Sequence, residues 1–348
     1  MPSEVIRSSV KVLPEVPAVV QGVGIAAVIP CFRVHDKVLG VIGRIGSEVE
    51  RIYVVDDACP EHTADLVQHD CRDPRVVVIR LPANQGVGGA VVEGYRRALN
   101  DGAQIVVKID GDGQMAPELV PKLVAPILAG HADYVKGNRF FFLDGVRQMP
   151  LVRLVGNAGL SFLTKLSTGY WQIFDPTNGF TAVSRQALER CDLARVSKRY
   201  FFESDLLYHL ALARAVVIDF PMASVYADEQ SSLRPMRIIG TFLRGHLANF
   251  ARRVLYTYFV RGFSLASIEL IIGMLLILFS IVFGVSEWIA SAQSGAPATA
   301  GTVMLAALPA ILGTQLTLSW LHSAVLISNP CKAVVGVGWR TKIGRLGL

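Results

Sequence analysis

Gln104-Ile-Val-Val-Lys-Ile-Asp-Gly-Asp-Gly-Gln114 decides how this chain is read. Its first half is a short, nearly continuous apolar run, the pattern of a strand buried on both faces of a parallel sheet. Its second half carries two carboxylates one residue apart, followed by an amide. Alternation along a strand sends side chains i and i+2 to one face. An extended backbone past the strand end therefore offers Asp110, Asp112 and Gln114 to a single point. Strand ends are where open α/β sheets bind ligands. Hard oxygen donors suit Mg2+ or Mn2+, ions that usually also hold substrate phosphates. The competing reading is a polar turn, because Asp and Gly are common turn residues.

Outward from this stretch, short apolar runs alternate with helical patterns. Strands are expected at Gly24–Pro30, Arg51–Asp57 and Arg75–Arg80, with helices from Asp36 to about Ile45, at Glu61–Asp70 and at Gly88–Asn100. This is βαβ organisation on a parallel sheet with right-handed crossovers. Beyond residue 115, helices are expected at Pro117–Ala129, Leu151–Leu166 and Glu203–Ala213. Strands are expected at Ala132–Lys136, Gly179–Ser184 and Ala215–Phe220.

The chain has 348 residues, 52% of them hydrophobic, and the apolar excess sits at its C-terminal end. Leu270–Ser286 and Trp288–Cys331 hold no charged residue. A membrane helix needs about 20 apolar residues, so spans are expected near 265–289 and 302–328, with Pro309 kinking the second. Lys332, Arg340, Lys342 and Arg345 follow the second span, and Ser291–Thr302 carries no Lys or Arg. By the positive-inside rule both flanks are cytoplasmic. Met1–Pro17 lacks the long apolar core of a signal peptide.

Between Glu229 and Glu269 there is no acid, while Arg234, Arg237, Arg244, Arg252, Arg253 and Arg261 are present. Ile239, Leu243, Leu247, Phe250, Val254 and Tyr258 recur at helical spacing. A basic amphipathic helix next to a span reads as an interfacial element on anionic head groups, not as a nucleic-acid-binding helix. The organisation expected is a catalytic domain over 1–233, juxtamembrane helices over 234–263, two spans within 264–330 and a basic tail over 331–348. The five cysteines form no CxxC pair and read as reduced and structural. The scattered histidines receive no metal or catalytic role.

Several motifs then line up. Val28-Ile-Pro-Cys-Phe32 closes the first strand and Asp56-Asp57 the second, where a nucleotide would lie; helix capping is the plainer alternative for these acids. Asn84-Gln-Gly-Val-Gly-Gly-Ala90 reads as a close-packed helix start, and no GxxxxGK[ST] is present. Asp175-Pro-Thr-Asn-Gly-Phe180 is a turn by composition. Tyr200-Phe-Phe-Glu-Ser-Asp205 puts two acids at a helix start, where the dipole alone favours them.

Together with Gly137-Asn-Arg139, these motifs resemble family 2 glycosyltransferases, and more closely the polyisoprenyl-phosphate glycosyltransferases, across roughly residues 24–235. The resemblance implies a GT-A fold: α/β, Rossmann-like, with a mostly parallel sheet, followed here by the interfacial and membrane helices. It implies a divalent ion, Mg2+ or Mn2+, on Asp110, Asp112 and Gln114. Contacts to a nucleotide-diphosphate sugar fall on Pro30, Phe32, Asp56, Asp57, Asn84, Gly88 and Asp110. Arg139, Arg153 and Arg234 are assigned to the phosphate of a polyisoprenyl lipid, and Asp112, Asp175 and Glu203 to catalysis.

Two departures stand out: Phe32-Arg33-Val34 replaces the family's Tyr-Asn-Glu, and Ser231-Ser232-Leu233-Arg234 replaces its Ser-Lys-Leu. The Gln-x-x-Arg-Trp motif of processive synthases is absent, so a single inverting transfer is expected. The implied setting is the cytoplasmic membrane, with undecaprenyl phosphate as acceptor, no nucleic-acid partner, and room for a homo-oligomer. Two rivals stay open: a saccharide or lipid-linked hydroxyl acceptor with Glu203 or Asp205 as base, and a non-catalytic sugar-nucleotide-binding subunit.

Overall fold

In the computed structural model of the chain, residues 22–141, 151–222 and 235–327 are described. Their strands are β1 (Ile25–Cys31), β2 (Arg51–Asp56), β3 (Val76–Arg80), β4 (Ile105–Lys108), β5 (Tyr134–Asn138), β6 (Thr181–Ser184) and β7 (Val217–Pro221). They form one sheet in the order β3-β2-β1-β4-β6-β5-β7. All neighbours pair in parallel except β6, which runs antiparallel to both β4 and β5. The helices are α1 (His35–Ile42), α2 (Thr63–Asp70), α3 (Val87–Asn100), α4 (Val120–Leu128), α5 (Leu151–Thr168), α6 (Arg185–Arg190), α7 (Phe202–Leu212), α8 (Pro235–Leu255), α9 (Leu265–Ser294) and α10 (Ala300–Ile327). The expected α/β GT-A layout is present. The reversal of β6 and the short helix α6 were not foreseen.

Alternation divides the core between the two faces of the sheet. Ala26, Val28, Tyr53, Val55 and Val106 pack beneath α3 and α7. Ile25, Ala27, Ile29, Val54 and Val107 pack beneath α1 and α4. The approach of α3 is closest at Gly94, where a methyl group would run into Val28 and lie 3.2 Å from Val55 Cγ2. One row of the sheet is polar: Thr181 of β6 stands opposite both Lys108 of β4 and Lys136 of β5, and Lys136 stands opposite Asp219 of β7. Both lysines are fully buried.

Contacts divide the chain into two compact units, with one boundary between Leu247 and Ala248. In the second unit, α9 and α10 are long and apolar enough to cross a membrane, with mean hydropathy 2.7 and 1.5, and few of their residues are buried. They approach closely at Gly273 and Gly313, where a Cβ on Gly313 would lie 2.8 Å from the Gly273 carbonyl. The Ser280 hydroxyl donates to the Ala306 carbonyl at 2.7 Å.

The helical stripe expected from Ile239 to Tyr258 splits. Ile239, Leu243 and Leu247 are exposed, whereas Phe250, Val254 and Tyr258 pack with Trp320 and Ala324. Arg253, expected on the head-group face, is buried instead.

Two stability predictions follow from this packing. Gly94→Ala overpacks the contact between α3 and the sheet and should cost about 1–3 kcal/mol; an unchanged melting temperature in detergent would contradict it. Asp219 accepts hydrogen bonds from Phe174 N–H at 3.0 Å and Asn138 Nδ2 at 2.8 Å. Burial nevertheless pushes its carboxyl up to about 6. Folding thus favours the protonated form: this contribution is full below about pH 4 and is lost as pH rises through about 6. Asp219→Asn should flatten the stability-versus-pH curve over that window, by on the order of 3 kcal/mol. Parallel curves for the two proteins would refute the assignment.

Candidate active site

β4 stops at Lys108, and the backbone turns through Gly111 and Asp112, with Gly113 at φ +77°. The extended geometry expected past the strand end does not persist, so the polar-turn reading holds for the backbone. The two carboxylates still share this turn. Asp112 Oδ1 accepts the Gln114 N–H at 3.0 Å. Burial, with the neighbouring charge of Asp110, raises the Asp112 carboxyl above the usual carboxylate range. Among the described residues no three His, Cys, Asp or Glu side chains gather as a ligand set. Two hard oxygen donors on a tight turn, one of them raised by burial, fit an ion that draws the rest of its shell from water and phosphate.

The centre of the site is a residue that the motifs did not single out. Lys108 Nζ lies 2.7 Å from Asp110 Oδ1 and 3.3 Å from Glu203 Oε1. Burial alone would lower this ammonium's pKa, but the two acids outweigh it and hold Lys108 well above the usual lysine value. The signal was in the sequence: a lone cation inside Val107-Lys108-Ile109 requires a partner if the strand is buried. Lys136 carries the same signal. Its Nζ donates to the Asn178 carbonyl, and burial brings its pKa down to about 8.

The structure separates the two acids of Tyr200–Asp205. Glu203 reaches the centre, while Asp205 Oδ2 accepts the Ser197 N–H at 2.7 Å.

Arg139 leaves the end of β5, and its Nε and Nη2 donate to Asp175 Oδ2 and Oδ1 at 2.8 and 3.0 Å. The Arg139 N–H also reaches Asp175 Oδ2, at 3.2 Å, and Asp175 is completely buried. The two residues expected separately for phosphate binding and catalysis are thus one bidentate pair. Gly179, at the end of the same loop, has no room for a side chain: a Cβ there would strike Asp110 Oδ2 and Lys108 Nζ. Because β6 is reversed, its N-terminal end brings this loop to the edge where β4 and β5 finish. Arg153 lies in the first turn of α5, with its side chain outside the described residues; Arg234 and Ser231-Ser232-Leu233 lie outside them altogether.

The strand-end acids are occupied by backbone. Asp56 accepts the N–H groups of Cys59 at 2.7 Å and Ala64 at 2.8 Å, at the start of α2. Asp57 accepts those of Gln85 at 2.7 Å and Gly86 at 2.8 Å, at the start of α3. Capping, the plainer alternative for these acids, accounts for the backbone partners of both buried carboxylates. Asn84 Nδ2 donates to the Asp57 carbonyl at 3.2 Å, which fixes the same turn.

Gly88 is packed: a Cβ there would lie 2.7 Å from the Phe202 ring and strike the Ser197 carbonyl. Its role is to let α3 meet the segment that carries Glu203. Pro30 is buried at the end of β1, and Phe32 stands exposed beyond it.

The arrangement is an anionic turn, a buried cation and a guanidinium at one sheet edge, beside the β1–β4 boundary where strand order switches. Residues 27–192 match Glycosyl transferase family 2. The chain is 29% identical over 215 residues to a UDP-N-acetylglucosamine–dolichyl-phosphate N-acetylglucosaminyltransferase of Methanococcus voltae, covering 58% of this chain and 85% of that one. It is 31% identical over 200 residues to a polyprenol monophosphomannose synthase of Mycolicibacterium smegmatis, covering 56% and 75%. Glucosyl-3-phosphoglycerate synthase from Mycobacterium tuberculosis, solved with Mn2+, uridine diphosphate and phosphoglyceric acid, shares the fold. It aligns at a TM-score of 0.50 and 21% identity over 67% of this chain and 78% of its own. Fold, motif order and relatives agree: the chain belongs to glycosyl transferase family 2 and is a glycosyltransferase.

Proposed function

We propose that this enzyme transfers one sugar, with inversion, from a nucleotide-diphosphate sugar to a polyisoprenyl phosphate at the cytoplasmic face of a membrane, with undecaprenyl phosphate as the first candidate acceptor. The names of its relatives support the lipid class: besides the two above, an undecaprenyl-phosphate mannosyltransferase of Micrococcus luteus is 27% identical over 220 residues, 62% of this chain and 89% of that one. The apolar helices α9 and α10 support a membrane setting.

One observation favours a phosphate over a hydroxyl acceptor. A hydroxyl nucleophile needs a general base. Glu203 faces a buried ammonium, and Asp205 is buried on a backbone N–H, so both carboxylates are already engaged within the protein. A phosphate monoester is already largely ionised near neutral pH, because its second pKa is about 6.

Asp110 and Asp112 would hold the divalent ion, Mg2+ or Mn2+. When bound, that ion neutralises charge developing on the leaving diphosphate. Lys108 holds Asp110 and Glu203 at fixed positions behind that turn. Asp175 sets the direction of the Arg139 guanidinium, whose planar fork suits a phosphate. In this reading Arg153 and Arg234 assist at the acceptor, and Phe32, exposed at the end of β1, borders the donor. The helix starts capped by Asp56 and Asp57, with Asn84, present backbone to the nucleotide.

The test is a panel of radiolabelled nucleotide sugars offered to undecaprenyl phosphate and, separately, to a lipid-linked saccharide. Product only on the saccharide would overturn the acceptor class. Asp112→Asn should abolish transfer, with a loss of at least about a hundredfold, in a protein that still folds and stays membrane-bound; near-normal turnover removes the metal role. Arg139→Gln should raise the KM for lipid phosphate about tenfold or more, with little change for the nucleotide sugar. Equal changes in both constants would place Arg139 elsewhere in the mechanism. Lys108→Met leaves two acids facing a buried gap and should cost about 3–5 kcal/mol of stability, seen as a lower melting temperature; an unshifted transition would mean that the three charges are not coupled.

A further inference from the structure

Lys136 is the second buried lysine, and it is held differently from Lys108. Tyr134 packs into one core and Val135 into the other, so alternation puts Lys136 on the Tyr134 side of the sheet. There it shares a row with Lys108, Thr181 and Asp219. Lys108 lies within ion-pair distance of two carboxylates. Lys136, among the described residues, lies within that distance of none; its ammonium donates to the Asn178 carbonyl. A buried ammonium costs several kcal/mol when no carboxylate touches it, and an apolar side chain of similar volume avoids that cost. Packing alone therefore does not account for a lysine at this position.

The bond fixes one end of a loop. Asn178 is wedged at the end of β5. Its Oδ1 accepts the Phe180 N–H at 3.0 Å, its Nδ2 reaches Met222 Sδ at 3.2 Å, and a Cβ on Gly137 would lie 2.8 Å from that Nδ2. Asp219 fixes the other end: it stands opposite Lys136 in register and accepts the Phe174 N–H at 3.0 Å. Opposite charges on neighbouring strands thus grip a backbone N–H and a backbone carbonyl of one short segment. Between these points lies Asp175, the bidentate partner of Arg139, and just past them lies Gly179, against Asp110 and Lys108.

Burial brings the Lys136 pKa down to about 8. Glu203 on α7, Asp175 in the loop and Asp219 on β7 oppose that shift, and Lys108 on β4 adds to it. The ammonium thus persists near neutral pH and is lost as pH rises through about 8. A hydrogen bond from a charged donor is roughly twice as strong as one between neutral groups, so the grip on Asn178 weakens over the same range.

The structure assigns Lys136 a positioning role in the transfer: together with Asp219 it clamps the segment from Phe174 to Gly179, and through that segment it sets the direction of the Arg139 guanidinium. This rests on the acceptor role proposed for Arg139 above.

The test compares the full chain in detergent with Lys136→Met, which keeps the bulk and removes the donor. Hydrogen–deuterium exchange at neutral pH follows the amides of residues 174–180. These should exchange roughly tenfold faster in the variant, while those of β1 and β2 are unchanged. Transfer to undecaprenyl phosphate is then measured across the alkaline range. The wild-type kcat/KM should fall above about pH 8, and that limb should be missing in Lys136→Met. At neutral pH the variant's KM for the lipid should rise about tenfold, with that for the nucleotide sugar unchanged. A variant that is merely less stable keeps the alkaline limb. Unchanged loop exchange, an unchanged lipid KM, or an alkaline limb that persists in Lys136→Met each overturns the assignment. If the methionine variant does not fold, Lys136→Gln, with a shorter and neutral donor, takes its place and the same outcomes decide. If the wild-type protein makes no product on undecaprenyl phosphate, the acceptor class fails, and the exchange readout alone decides the clamp.

Discussion

A buried ammonium organises this site. Taking Lys108 out of water costs several kcal/mol unless carboxylates surround it. Its two partners come from distant points of the chain, Asp110 two residues later and Glu203 at the start of α7. Bringing them together requires the rest of the architecture. α3 must pack tightly enough at Gly88 to admit the Ser197–Phe202 segment, and the reversed β6 must lay Gly179 against Asp110 without a side chain between. The charge balance at one lysine thus couples the order of the sheet to the position of the Asp110–Gln114 turn.

Around this centre, acidic side chains do two kinds of work. Asp56 and Asp57 bind backbone and shape the turns after β2 and β3. Asp112 sits half-buried on the turn after β4, its carboxyl raised by burial and by the neighbouring charge of Asp110. Asp175 lies between these cases, fully buried yet committed to Arg139, whose guanidinium reaches the edge of the site. One side of the edge is therefore built mostly from main chain held in place by acids, and the other from a cation held in place by one.

Much of this was legible in the sequence, for identifiable reasons. Apolar runs in β1, β2 and β4 are unambiguous because they are buried on both faces, and their order gave the α/β sheet. The long uncharged runs gave α9 and α10. The direction of β6 was not legible, since Thr181–Ser184 is only four residues long and nothing in a strand's composition records its polarity. The candidate site residues came from the strand-end pattern and the resemblance, but their partners within the fold did not. Helix capping by Asp56 and Asp57 was legible as an alternative, but which N–H groups they bind was not, because an acceptor several positions upstream leaves no short-range signature. Lys108 and Lys136 carry no local signature of their role, because their partners Glu203 and Asn178 lie far away in the chain. The basic stripe in α8 looked uniform, although Arg253 is buried and Leu247 is exposed, because periodicity reports a face without saying what covers it.

The reversal of β6 has a further consequence. β5 ends and β6 begins at the same edge of the sheet, so the stretch from Arg139 to Gly179 leaves and re-enters the fold at the edge that carries Lys108 and Asp110. No ladder bond of β5 or β6 depends on its length or content. It can be lengthened, shortened or recast while β1, β2 and β4 keep their pairing. A single scaffold can in this way exchange one border of that edge and leave the strands on the other side unaltered.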